Sequence, residues 1–215
     1  MMKRFLLLLA ALLLLFTGCS EGHRLERTED GNGYVDTKTK VVYLQLDIAF
    51  EPAMTGELVG TYTDRARDIT VTLHEIPKLD TATFLADEDK NVYCVAEAMP
   101  NAADWQIETI LVCDGDGVSV ERRRFTAALQ PDTVEQIRAL WFEGEEANFL
   151  SLTEADKLYS IKISSAAYPN LYYCFDFLYF AEGTSYFYNV VSHRSVEVPT
   201  DLVQLIHTGK KGESK

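Results

Sequence analysis

The sequence predicts an α+β fold dominated by mostly antiparallel strands, with two or three short helices. Three observations predict it. Apolar residues alternate with polar ones in many short runs, the connections between runs are short, and only a few segments carry helix punctuation. With 47% hydrophobic and 25% charged residues in 215, the chain has the composition of a globular protein, neither collagenous nor disordered.

The elements follow in order. In VVYLQLDIAF, Val42, Leu44, Leu46 and Ile48 fall on one face of an extended chain and Tyr43, Gln45 and Asp47 on the other. ITVTLHEI repeats the pattern with Ile69, Val71 and Leu73. Further strands are expected over 58–63, 92–97, 107–113, 118–125, 159–163, 171–180, 186–191 and 195–198. Pro131 and Asp132 open a helix in PDTVEQIRALW. Glu135 stands three residues after Asp132 like a capping box, Val134, Ile137 and Leu140 form the stripe, and Gly144 follows the end. A second helix is expected from Asp201 to about His207, with Thr200 as N-cap and Gly209 as the stop. A weaker helical turn starts at Asp80 in DTATFLA.

Ahead of this lies a different kind of segment. Lys3 and Arg4 precede an unbroken apolar run from Phe5 to Phe16, and small residues lead to Cys19. This is the layout of a signal peptide over residues 1–18. Twelve helical residues at about 1.5 Å each span about 18 Å, short of a bilayer core of about 30 Å, so a permanent membrane span is not expected. Phe16, Thr17, Gly18 and Cys19 resemble the lipobox of bacterial lipoprotein precursors, with Phe16 in place of the usual Leu. The resemblance implies that the Cys19 thiol receives a diacylglyceryl group, that the leader is cut before it, and that acyl chains such as palmitate hold the protein on the extracytoplasmic side of a cell membrane. HEIPKLD also resembles a stretch of uncharacterised lipoproteins of Gram-positive bacteria, a likeness that implies no activity.

Residues 19–33 then read as the lipidated cysteine and a flexible tether, since SEGHRLERTEDGNG carries almost no apolar side chains. Residues 34–208 are expected to form a single β-rich domain, and 209–215 a polar tail. Removing Lys3 and Arg4 with the leader leaves 18 basic against 33 acidic residues, a net charge of 18 − 33 = −15. That sign disfavours both nucleic acid as a partner and adsorption to anionic lipid. The one basic cluster, Arg122 to Arg124, reads as solvated or ion-paired.

Catalytic motifs are not found: the chain has no GxSxG elbow and no SxxK, and His74-Glu75 lacks the second His of a zincin. No metal site or cofactor is expected. TEDGNGYVDTKT has the middle of a calcium loop but Thr28 and Thr39 at its ends, and reads as a turn. Of the three cysteines after Cys19, Cys94 and Cys113 are the pair for which a bridge has the shortest loop, if they lie on neighbouring strands; otherwise all three are buried thiols.

The most distinctive stretch is 168–191, where ten of 24 residues are Tyr or Phe. A hairpin across Glu182 and Gly183 would pair Tyr179 with Tyr186 and Phe177 with Tyr188, which makes it either a strand pair of the core or an aromatic platform of Tyr179, Tyr186 and Tyr188 for a glycan or an extended peptide. The expected function is thus a membrane-anchored lipoprotein whose domain is a non-enzymatic binding or interaction module at the cell envelope, with a glycan or protein partner. The rivals are an envelope glycan hydrolase using paired carboxylates, which would show a cleft with one carboxyl of raised pKa, and a structural accessory subunit.

Overall fold

The computed structural model describes residues 22–115, 120–147 and 155–209. Its first half is a closed barrel of seven strands. These are β1 (His23–Arg27), β2 (Gly33–Asp36), β3 (Val42–Gln45), β5 (Leu58–Asp64), β6 (Ile69–Glu75), β7 (Phe84–Asp87) and β8 (Val92–Cys94), while β4 (Phe50–Pro52) leaves it for a second sheet. The order around the barrel is β1-β2-β3-β8-β7-β6-β5.

Closure is made by one parallel pairing, β1 against β5 through His23 with Gly60 and Arg24 with Thr61. Gly60 permits it: a Cβ there would stand 2.8 Å from the His23 carbonyl oxygen and 2.9 Å from Leu25 Cγ. The barrel encloses Leu25, Tyr34, Tyr43, Leu73, Leu85 and Tyr93, with the rings of Tyr34 and Tyr93 edge to face at 5.3 Å. Three expectations meet the structure here. Pairing is mostly antiparallel as expected, with β1 against β5 parallel, whereas the stretch read as a tether carries β1, because the single buried Leu25 docks a strand that is otherwise polar. A third concerns the strand at 42–45, whose two faces are resolved with Tyr43 inside and Val42 42% exposed; Tyr43 keeps its hydroxyl satisfied by donating to the Thr81 carbonyl.

The second half is an antiparallel sheet of β9 (Ile107–Asp114), β10 (Glu121–Thr126), β11 (Lys157–Ser165), β12 (Leu171–Tyr179), β13 (Ser185–Tyr188) and β14 (Ser195–Val198), in the order β10-β9-β11-β12-β13-β14. β4 adds to the start of β12, with Phe50 opposite Tyr173. One face packs on two helices, α1 (Pro131–Glu143) and α2 (Thr200–Thr208). Trp141 of α1 stacks on Phe175 at 4.3 Å, and Leu202 and Ile206 of α2 join Phe177, Phe187 and Val196. Ile76, Phe84, Val92 and Cys94 from the barrel belong to that same core, so barrel and sheet are fused by shared burial.

Both helices stand where Pro131 and Gly209 place them. Gly209 has φ 75 and its N–H donates to the Leu205 carbonyl. The predicted caps differ. Gln130 and Pro199 occupy the N-cap positions without side-chain capping, Glu135 pairs with Arg138 instead of closing a capping box, and Trp141 takes the place of Leu140 in the buried stripe. At Asp80 the turn forms, but Phe84–Asp87 continues as strand.

Candidate functional site

Alternation on the central strands sends Tyr159, Ile161, Phe175 and Phe177 to the helices and Ser160, Lys162, Cys174 and Asp176 to the opposite face. The register lines these up across the sheet. Ser160 faces Asp176, Asp176 faces Tyr188, and Lys162 faces Cys174. From β4, Glu51 stands opposite Tyr172 and reaches Lys162, its Oε2 2.5 Å from Nζ. Lys162 is only 8% exposed, and burial acts to lower its pKa; the Glu51 carboxylate outweighs this and the ammonium titrates above its usual range.

Asp176 has no such partner. Among the described residues nothing donates a hydrogen bond to its carboxylate, and burial, then the nearby charge of Glu51, pushes its pKa up to about 6. Beside it is a cavity of about 210 Å³. Ser160, Cys174 and Asp176 line it from the sheet, together with Glu51 and Asn189. Its rim is apolar and exposed: Ile48, Val190 and Val191 are 55%, 51% and 41% accessible. Asn189 is fixed, its Oδ1 accepting the N–H groups of Val191 and Ser192. The arrangement offers an unneutralised acceptor below a hydrophobic lip, a geometry for a small group bearing a donor or a positive charge.

The aromatic hairpin has a different register from the predicted one. Tyr186 pairs with Leu178, Phe187 with Phe177 and Tyr188 with Asp176. The one-residue shift puts Tyr179 on the helix face and Tyr186 and Tyr188 on the other, so the three tyrosines do not form one platform. A strand apolar on both faces leaves register to the turn, which here is set by Ser185 Oγ accepting the Phe180 N–H and Asp156 accepting that of Ala181. Tyr179 lies flat on His207, ring centroids 3.8 Å apart, and lines a separate cleft of about 520 Å³ between the β12–β13 turn and the start of α2. His207 is hydrogen-bonded to the Tyr159 hydroxyl at 2.6 Å, and burial, then Lys157 and Arg123, lowers its pKa. Tyr188 is buried, with its hydroxyl 3.0 Å from His193 Nδ1.

The bridge considered for Cys94 and Cys113 is not made. Cys94 is in β8 of the barrel and Cys113 in β9 of the sheet, and both are free and buried, as is Cys174. Burial raises all three thiols, Cys94 to about 11, which makes them poor nucleophiles. Arg122 pairs with Asp114, and Arg124 with Glu121. Thr28, Asp30 and Asn32 bond to one another in the turn after β1. Among the described residues no group of three or more His, Cys, Asp or Glu could hold a metal, and no helix is long and apolar enough to cross a membrane. Cys19 and the leader lie outside the described residues.

Sequence reasoning missed the Asp176 site because Glu51 lies 111 residues before Lys162 and reaches the β11–β12 pair only through β4. The available signal was the lone acid of YYCFDFLYF, a carboxyl in an otherwise apolar strand. Comparison with protein families, with characterised proteins and with solved structures gave no match.

Proposed function

We propose that this chain is a bacterial lipoprotein, lipidated at Cys19 and held on the extracytoplasmic face of a cell membrane, whose domain acts as a non-enzymatic binding module through the Asp176 cleft. One observation carries the reading: a half-buried carboxyl with no donor among the described residues, beside a cavity, on a sheet face where the neighbouring Lys162 is paired with Glu51. Solvent still reaches its oxygens, so water is the donor until a ligand displaces it, while partial burial disfavours the charged form. The ligand that complements the site is a small ammonium, amide or hydroxyl group on an aliphatic stem, its stem against Ile48, Val190 and Val191. A mature charge of −15 favours the approach of cations.

A glycan hydrolase is the second reading, favoured by a carboxyl with a pKa of about 6 near a second one. Two features weigh against it. Glu51 is engaged by Lys162, and about 210 Å³ is below the roughly 300–1,000 Å³ of common ligand pockets.

The test is a thermal-shift panel of alkylamines, amino-acid amides, peptidoglycan fragments and oligosaccharides on the protein lacking its leader, wild type and Asp176→Asn. Ligand at about a hundred times its Kd stabilises by about 2.7 kcal/mol, or about 5–10 °C at this size. The expected result is a shift with an amine or amide that the variant loses. No shift with any member, or equal shifts in both proteins, overturns the reading, and release of shortened oligosaccharide by wild type alone installs the hydrolase.

A further inference from the structure

We infer that the end of the barrel at which β1 begins is the membrane-facing surface of the molecule, docked on anionic phospholipid headgroups through the β2–β3 turn. The inference rests on the lipidation of Cys19 proposed above.

Three residues, Ser20, Glu21 and Gly22, separate Cys19 from the first residue of β1. Four Cα steps of at most about 3.6 Å reach about 14 Å. Each headgroup layer is itself about 5–8 Å thick, so crossing it takes up a large part of that reach. The tether read from the sequence would have let the domain tumble; a strand starting at His23 does not.

The topology says what surrounds this point. β1 is parallel to β5 and antiparallel to β2, so the start of β5 at Leu58 and the turn after β2 lie at the same end. Gly22 is packed near Leu58 and Gly60. The turn is clamped to β1: the N–H and the hydroxyl of Thr37 both donate to the Arg24 carbonyl, and the Asp36 carboxylate holds His23 while accepting the N–H groups of Lys38 and Thr39. Lys38 and Lys40 are exposed on this turn, and Val42 and Leu58 are exposed apolar residues beside it.

The charges at the two ends differ in placement. Glu57 and Asp80 share the β1 end with Lys38, Lys40 and Lys78, so the contact is made locally by lysines, against the net negative charge of the whole domain. At the far end the turns carry Glu29 and Asp30, Glu88 and Asp89 beside Lys90, and Asp64 and Asp68 beside Arg65 and Arg67, which leaves the last turn neutral. An anionic bilayer repels the first two turns and attracts the lysines at its surface, so the field and the short anchor select the same orientation.

The test uses the full-length lipidated protein on vesicles of phosphatidylcholine and phosphatidylglycerol. A fluorophore is placed on Lys38→Cys at the near end or on Asp89→Cys at the far end, the three native thiols being buried, and is quenched by headgroup-labelled lipid. The protein is expected to float with the vesicles, with quenching several-fold stronger at position 38 than at 89, and with that excess reduced by Lys40→Glu. Flotation with equal quenching, or with stronger quenching at 89, overturns the orientation and leaves the anchor standing. Failure to float overturns the anchor and the orientation with it.

Discussion

Asp36 in the barrel and Asp176 in the sheet are carboxyls of the same type in interior settings, and they titrate on opposite sides of the ordinary value of 3.8. Burial acts to raise both. At Asp36 it is outweighed by His23 and by the N–H groups of Lys38 and Thr39, which bring the pKa down to about 2. At Asp176 no donor opposes it, and Glu51 adds to it. The barrel carboxyl is architecture, joining β1 to a turn. On the function proposed above, the sheet carboxyl is kept for a ligand, and its raised pKa means that ionisation at neutral pH weighs against the fold.

The largest effect is expected where that architecture is broken. Asp36→Ala orphans two backbone N–H groups and an imidazole, and should cost about 2–4 kcal/mol, seen as a Tm about 5–15 °C lower. In wild type the Asp36 contribution is complete above about pH 4 and is lost as pH falls towards 2, about 2 kcal/mol for the shift from 3.8. Acid titration of Asp36→Asn followed by circular dichroism should lack that part of the loss.

Asp176→Asn should act in the opposite direction, raising stability at pH 7.5 by about 1–3 kcal/mol, because a neutral amide is cheaper to bury than an unpaired carboxylate. Smaller still is the aromatic pair. Tyr179→Ala and Tyr186→Ala lie on opposite faces and should be additive within about 0.5 kcal/mol in denaturant melts; a larger coupling would restore the common platform. Smallest is the response to reductant. Dithiothreitol should leave Tm unchanged, since the three thiols of the described residues are free, and a clear fall would reveal a bridge.

The division between the two carboxyls also marks what could be read from sequence. Helices announced by Pro131 and Gly209 and most strands were legible, because local chemistry specifies them. β1 was not: HRLER has one apolar residue, and its place depends on a parallel partner more than thirty residues away and on Gly60 having no side chain. The hairpin was legible as a hairpin, yet its register was not, because Phe and Tyr on both faces make either alignment apolar and the turn decides. Asp176 stood visible in its aromatic strand, but that it lacks a donor is a property of its neighbours in space. In so acidic a chain no spacing identifies Glu51 as the second acid.

The most direct test is the stability of wild type and Asp176→Asn by urea denaturation from pH 7.5 to pH 4. A carboxyl whose folded pKa is raised to about 6 penalises the fold fully above that pH, and the penalty fades as pH falls towards 3.8. The variant should be more stable at pH 7.5, by about 1–3 kcal/mol, and the gap should close between pH 6 and 4. Equal stabilities at pH 7.5, or a less stable variant, would mean that Asp176 already has its partner within the fold, and would remove it as the site.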